Sequence, residues 1–571
     1  TNKAPDEMAS RIEAFVPDQQ NRAVIGTFHS FCMQMLQQHG SHIGISPNFA
    51  IYSLQSDRAD LLKEAIRKEG LSSDDQRFLG TIDKLKARLI LPNDCAKHFD
   101  ESVGKRVEQV YRAYEDALVR ANALDFGSLI AQAYRLVSDF PGIALHYRRA
   151  YAYWMFDEFQ DTTDGQYRLI RALAGEDFRN VFAVADDDQI IYQWNGASYK
   201  QIQRFRTDFQ PAEIQLPTNY RCPPSIVAAA NRLVVHNIQR TRSKEPLEAG
   251  KTSMLYPDGE HIQLRRYATE DVEASAIAAD IAAVDLAKRG EIAVLARTRA
   301  LLQRIQKALT AVEVPAAIAQ RRDDFRSAQF LWLVAALRLS LRPLDRRALD
   351  VLTGAFNRWF DSKIESEAIA AVSDISSRSF LAEWAIEAAT LPNDQARELA
   401  QLASELEKQP TTFRDFIAKF LVLIRQETDV ETSDVEEDRS AWVGLNKSIN
   451  QTIGQKVPLE QFLQELALRS KEPPAEPNAV TLMTIHAAKG KEFDHVYVAG
   501  LAEDVLPSFQ SIKSGEDSAE MEEERRNCFV AITRAREWLW LSYADVYRGW
   551  EKKPSRFLEE MGLVLPQTPN S

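Results

Sequence analysis

Short apolar runs punctuate this chain, and most of them end in polar or charged residues. They are AVIGTFHS (23–30), YAYWMFDE (151–158), NVFAVADDD (180–188), EIAVLAR (291–297), HVYVAGL (495–501) and EWLWLSYA (537–544). Runs of this length and flanking chemistry predict buried strands. Between them lie helical patterns such as QYRLIRALAG, PSIVAAANRLVVHN and LLQRIQKALTAV. Strand and helix in alternation predict α/β units with parallel sheets.

Two stretches break the rhythm. Residues 37–123 and 346–476 read as helical, with KRVEQVYRAYEDALVRA and PLEQFLQELALRS as amphipathic examples and PPAEPN (473–478) punctuating the second. The outline is two α/β units, each interrupted by an all-helical insertion. The length of 571 residues fits three or four domains at about 150 residues each.

At 45% hydrophobic and 27% charged, the composition is that of a soluble globular protein. No apolar run approaches the roughly 18 residues of a membrane span, and no signal-peptide pattern is present. A cytoplasmic location is expected. Cys32, Cys95, Cys222 and Cys528 are scattered, so neither a zinc site nor a disulfide framework is indicated. The net charge of −12 argues against a charge-coated nucleic-acid binder. It leaves room for a groove of local positive potential. Part of the acidic excess lies in 426–440 and 515–524, read as solvated loops or helix faces.

The strongest chemistry is in YWMFDEFQDT. Asp157 and Glu158 follow an apolar strand, where ligands of open α/β sheets sit. Adjacent carboxylates there suit metal–nucleotide chemistry, one holding Mg²⁺ and the next activating water. In VADDDQIIYQWNGA (184–197), Gln189 is a neutral donor able to sense a phosphate. Tyr192 and Trp194 fit either the core or a stack on unpaired bases. QLPTNYRCPPSI supplies Tyr220 and Arg221, and ITRAREWLWLS supplies Arg534. TIHAAKGKEFDHVYVAGL supplies His486, Lys489, Gly490 and Glu492.

The ordered series TNKAPDEM, GTFHSFC, FDEFQDT, ADDDQIIYQW, NYRCPPSI, TIHAAKGKEF and EEERRNCFVAITRAR resembles the UvrD/Rep/PcrA-type DNA helicases of superfamily one. The resemblance implies two RecA-like motor domains. The first is expected over 1–36 and 124–212 with a helical insertion at 37–123. The second is expected over 213–345 and 477–571 with an insertion at 346–476. It implies ATP and Mg²⁺ as cofactors, single-stranded DNA and single/double-strand junctions as partners, and 3′-to-5′ travel. Repair or replication proteins are expected on the second insertion.

Transferred by motif, Asp157 holds Mg²⁺ and Glu158 activates water. Gln189, Arg221 and Arg534 face the γ-phosphate. Tyr220 stacks on adenine, and Glu492, beside Gly490, touches the ribose. Thr27, His29, Tyr192, Trp194, Thr484 and His486 match the single-strand track. Asn195, Lys491 and Ala185 depart from the family's usual Arg, Leu and Gly.

One motif is missing. No G-x-x-x-x-G-K-[ST] phosphate loop occurs, and the lone Gly250-Lys251-Thr252 has Glu245 five residues before its Gly, with no strand expected ahead of it. In the family this loop lies upstream of TNKA. The chain is therefore expected to be a fragment of a longer helicase, unable to hydrolyse ATP alone. The alternative is a non-catalytic DNA-binding or scaffold subunit of motor ancestry. A helicase–nuclease fusion is disfavoured by the short tail after the last strand.

Overall fold

The computed structural model describes residues 23–251, 261–319, 324–424, 433–454, 456–471 and 478–569, together with positions 8, 11, 12, 14–16 and 322. Most of TNKAPDEM and of PPAEPN, Thr252 and positions 426–432 of the acidic stretch lie outside the described residues. No helix among those described is long and apolar enough to cross a membrane. The chain falls into two compact units, within Thr1–Asp83, Leu91–Leu136 and Arg321–Pro474, and within Lys84–Ile90, Val137–Gln320 and Ala475–Ser571.

The first unit is helical. Helix Glu101–Arg120 buries Val107, Val110, Tyr111, Tyr114, Ala117 and Leu118, a spacing of three and four that makes one apolar stripe. Helix Ala328–Leu341 is apolar nearly all round and is buried accordingly. It anchors an aromatic core in which Trp332 meets Trp384 and Phe420. The few strand residues, Ala50–Ile51 and Ala123–Leu124, pair in parallel.

The run 23–30 does not form the expected strand. Residues 23–27 belong to no strand, and helix Phe28–His39 begins where Thr27 and Ser30 form a reciprocal capping box. That box satisfies two helix N-terminal donors, and no described strand lies beside the segment to pair with it.

The second unit is built on a twisted mixed sheet of β1 Ile262–Thr269, β2 Ile292–Ala296, β3 Ala316–Ile318, β4 Val480–Thr484, β5 Phe493–Ala499, β6 Ala535–Tyr547 and β7 Trp550–Glu551. The order is β3-β4-β2-β5-β6, with β1 on the other side of β6. All these pairs are parallel, and only β7 turns back antiparallel on the end of β6. Strand β2 is buried at all five positions of IAVLA, as a parallel strand covered on both faces requires.

Strands Trp154–Phe156 and Val181–Ala183 form a separate parallel pair. Both were expected to be buried, yet Met155 and Phe182 are exposed. Among the described residues each strand pairs only with the other, so this small sheet lacks the cover that buries β2. A further pair joins Thr218–Asn219 to Glu248–Ala249. A short strand therefore does precede Gly250, against expectation.

Candidate active site

All the predicted site residues except Thr27 and His29 belong to the second unit. Within the first unit, Thr27 caps its helix and the His29 ring lies 5.1 Å from that of Phe126.

The chain leaves strand Trp154–Phe156 through Asp157 and turns sharply at Glu158, whose φ of 50° is left-handed. Non-glycine residues rarely adopt this region, and such strain gathers at functional sites. Both carboxylates are exposed. Asp157 accepts a 2.9 Å bond from the Glu158 N–H through one oxygen. Glu158 accepts from the Gln160 amide, and Gln160 in turn accepts from the Asp186 N–H at 3.0 Å. The two motif loops are thus stitched together by one buried glutamine.

Lys489 closes this corner. Its ammonium donates to Asp161 at 2.7 and 2.6 Å and to the Gln189 carbonyl at 2.9 Å, and lies 3.6 Å from Glu158. It also sits 5.3 Å from the centre of the Tyr192 ring, a cation–π distance. The Tyr192 hydroxyl donates to the His486 carbonyl at 3.1 Å. A charged link therefore runs from the carboxylate turn to the aromatic pair, where Trp194 is 64% exposed. Thr484 caps the short helix that carries His486. Burial, with Arg297 next in effect, holds the imidazole down at about 4, so His486 is neutral.

Gln189 does not project freely. Its amide donates to Asp186 at 2.7 Å. Asp186, Asp187 and Asp188 lie close enough to suggest a metal cage, but cations of the chain already fill it. Lys244 contacts all three, and Arg240 grips Asp188 through two bonds of 2.8 and 2.9 Å. Burial would raise the Asp187 carboxyl, yet Lys244 and the Thr241 N–H hold it down at about 2.

A separate cavity of about 430 Å³ is lined by Asn219, Tyr220, Arg221, Lys251, Glu492 and Arg536. Tyr220 is 78% exposed. Asn219 shapes the turn by accepting from the N–H groups of Arg221 and Cys222 at 2.9 and 2.8 Å. Arg221 pairs with Glu492 at 2.7 Å, and this bond holds the carboxyl below its usual range. Gly490 adopts φ 77° just ahead of Glu492, a turn that suits glycine. Lys251 braces the far wall, donating to the Arg536 carbonyl at 2.7 Å and pairing with Glu537.

Arg534 is buried. Its guanidinium donates to the Val530 carbonyl at 2.9 Å, the Lys491 carbonyl at 3.2 Å and the Thr533 hydroxyl at 3.1 Å. No carboxylate pairs with it among the described residues. Burial first, and Arg221 second, lower its pKa to about 10. A buried cation without a counter-ion is costly.

The acidic stretch 515–524 is not simply a solvated face. Glu522 and Glu524 are buried, pairing with Arg526 and Arg297. In the first unit Asp438 is likewise buried, accepting from Ser327. The i,i+4 spacing of Glu522 and Arg526 was visible in the sequence, whereas Arg297 and Ser327 lie far along the chain from Glu524 and Asp438.

The sequence matches the model of the UvrD/REP helicase N-terminal domain over residues 1–210 and that of the UvrD-like helicase C-terminal domain over residues 214–546. The chain belongs to the UvrD/Rep helicase family. Its relatives include the ATP-dependent DNA helicase PcrA of Staphylococcus epidermidis, 30% identical over 98% of this chain and 79% of that protein. The PcrA of Staphylococcus aureus is 31% identical over 100% of this chain and 80% of that protein. UvrD/Rep membership accounts for the order of the motif loops. Asp161 and Arg536 were not singled out in the sequence, and Lys251 was weighed there only as part of a phosphate loop that its surroundings do not complete. Asp161 is in fact visible there, four residues past Asp157 in the same DEFQDT string.

Proposed function

We propose that this chain is a fragment of an ATP-dependent DNA helicase that moves 3′-to-5′ on single-stranded DNA and splits the duplex ahead, in DNA repair or replication. The observation that carries this reading is the cavity in which Tyr220, Arg221 and Glu492 converge. Tyr220 offers a face for adenine and Glu492 an acceptor for ribose hydroxyls. Arg221 and Arg534 supply positive charge to the γ-phosphate, a contribution of about 10³–10⁵ in rate for such arginines.

Among the described residues, one Asp157 carboxylate oxygen has no protein hydrogen bond, and hard oxygen donors fit Mg²⁺. When bound there, Mg²⁺ neutralises phosphate charge. Glu158 takes the proton of the attacking water, and Gln189 faces the γ-phosphate once its amide exchanges Asp186 for a phosphate oxygen. In the second unit Tyr192, Trp194, His486 and Thr484 line the DNA track, and in the first Thr27 and His29 are read as DNA contacts in their own right. Stacking supplies about 1–3 kcal/mol per base. Lys489 links the carboxylate turn to that track. The motor-and-insertion division given above, the cytoplasmic location and partner binding by the second insertion belong to the same reading.

The sequence holds no phosphate loop. Hydrolysis is therefore assigned to a polypeptide that carries one, and this chain by itself has weak ATP affinity. That absence also motivates the second reading, a non-catalytic DNA-binding subunit. Strand displacement separates them. A P-loop-bearing form should unwind 3′-tailed duplexes with ATP and leave 5′-tailed ones intact. DNA binding without displacement of either favours the second reading.

A further inference from the structure

Two guanidinium groups share the Glu492 carboxylate. Arg221 Nε lies 2.7 Å from Oε2 and Arg536 Nη1 lies 3.7 Å from Oε1. The two are held differently. Among the described residues, the Arg221 side chain makes besides Glu492 only a 3.4 Å bond to the Thr533 carbonyl. Arg536 donates at 2.8 Å to Asp494 in β5 and at 2.7 Å to Glu291 at the foot of β2, while Lys251 holds its carbonyl. One arginine is loosely tied and the other is fixed to the sheet.

An incoming phosphate competes with Glu492 for a guanidinium, and the loosely tied Arg221 is the one that can leave. Its departure strips Glu492 of its close partner. A half-exposed carboxylate left without a cation swings toward solvent, where water solvates its charge. We infer that Arg536 is a positioning residue that keeps Glu492 aimed into the cavity when a nucleoside triphosphate draws Arg221 away, so that recognition of the ribose hydroxyls depends on it. This rests on the reading of the cavity as the base-and-ribose side of a nucleotide site. Motif spacing does not mark Arg536, because its role comes from Asp494 and Glu291 beside it.

The test is equilibrium dialysis of the 571-residue chain with ATP and with 2′,3′-dideoxy-ATP, at concentrations on the order of millimolar. The unaltered chain should prefer ATP by about tenfold, as for a hydrogen bond to a charged acceptor. In Arg536→Gln the preference should fall toward onefold, and Arg536→Lys should restore part of it. Tyr220→Ala should weaken both nucleotides equally, since stacking does not sense the ribose. Melting curves check that each variant is folded. If Arg536→Gln keeps the preference while Glu492→Gln loses it, the role of Arg536 is refuted and the cavity reading stands. If the unaltered chain takes up no ATP, or neither Tyr220→Ala nor Glu492→Gln changes uptake, the cavity reading falls and the inference with it.

Discussion

The Lys489 ammonium bridges both oxygens of Asp161, at 2.7 and 2.6 Å, across 328 residues of sequence. Lys489 is almost wholly buried and Asp161 partly so. Removing the cation with Lys489→Met leaves a carboxylate whose pKa burial already raises. The expected cost is about 2–3 kcal/mol, below the range for a fully buried broken pair because Asp161 keeps some solvent. Thermal unfolding should show a lowered midpoint, and adding Asp161→Asn should recover part of it. Additive losses in the double variant would mean that the pair is not coupled.

Two groups near the track titrate in opposite senses. His486 is held at about 4 against an ordinary 6.5. Its unfolded form binds the extra proton, so stability falls as pH drops from 6.5 toward 4. Burial raises Glu523 to about 7 from 4.5. Its folded form binds the extra proton, so that contribution falls as pH rises from 4.5 toward 7. Each is worth roughly 1–3 kcal/mol, and they offset one another between the two limits. His486→Asn should remove the acid-side loss, and Glu523→Gln the loss toward neutrality. Melting temperatures from pH 4.5 to 7.5 read both slopes directly.

Arg534 sits among neutral acceptors only. Arg534→Met should therefore cost little stability, about 1–2 kcal/mol for the acceptors left unpaired. In a P-loop-bearing form it should lower ATP turnover by about 10³ or more. A large stability loss with turnover preserved would mark Arg534 as structural. Melting and steady-state ATPase assays together decide.

Much of this was legible in the sequence. Strands β2, β5 and β6 were visible as apolar runs because parallel pairing buries both faces of each. Tyr220, Arg221 and Glu492 were readable as motif residues, and the structure brings them to one cavity. Other features follow from neighbours that spacing does not reveal. The run 23–30 is as apolar as a strand, but Thr27 and Ser30 turn it into a helix start. Gln189 reads as a free donor until Asp186 takes its amide. Glu524 reads as solvent-facing until Arg297, far away in the chain, is found beside it. Lys251 stands in a G-K-T run that does not complete a phosphate loop, yet it braces Arg536 and lines the cavity.

The account rests on Glu158 as the group that activates water from its strained turn. Its most direct test is Glu158→Gln in a P-loop-bearing form of the protein, with DNA-stimulated ATP turnover and ATP binding measured side by side. The account predicts turnover reduced by about 10²–10⁴, the usual scale of general-base catalysis, with ATP binding retained. Turnover equal to that of the unaltered protein would contradict it.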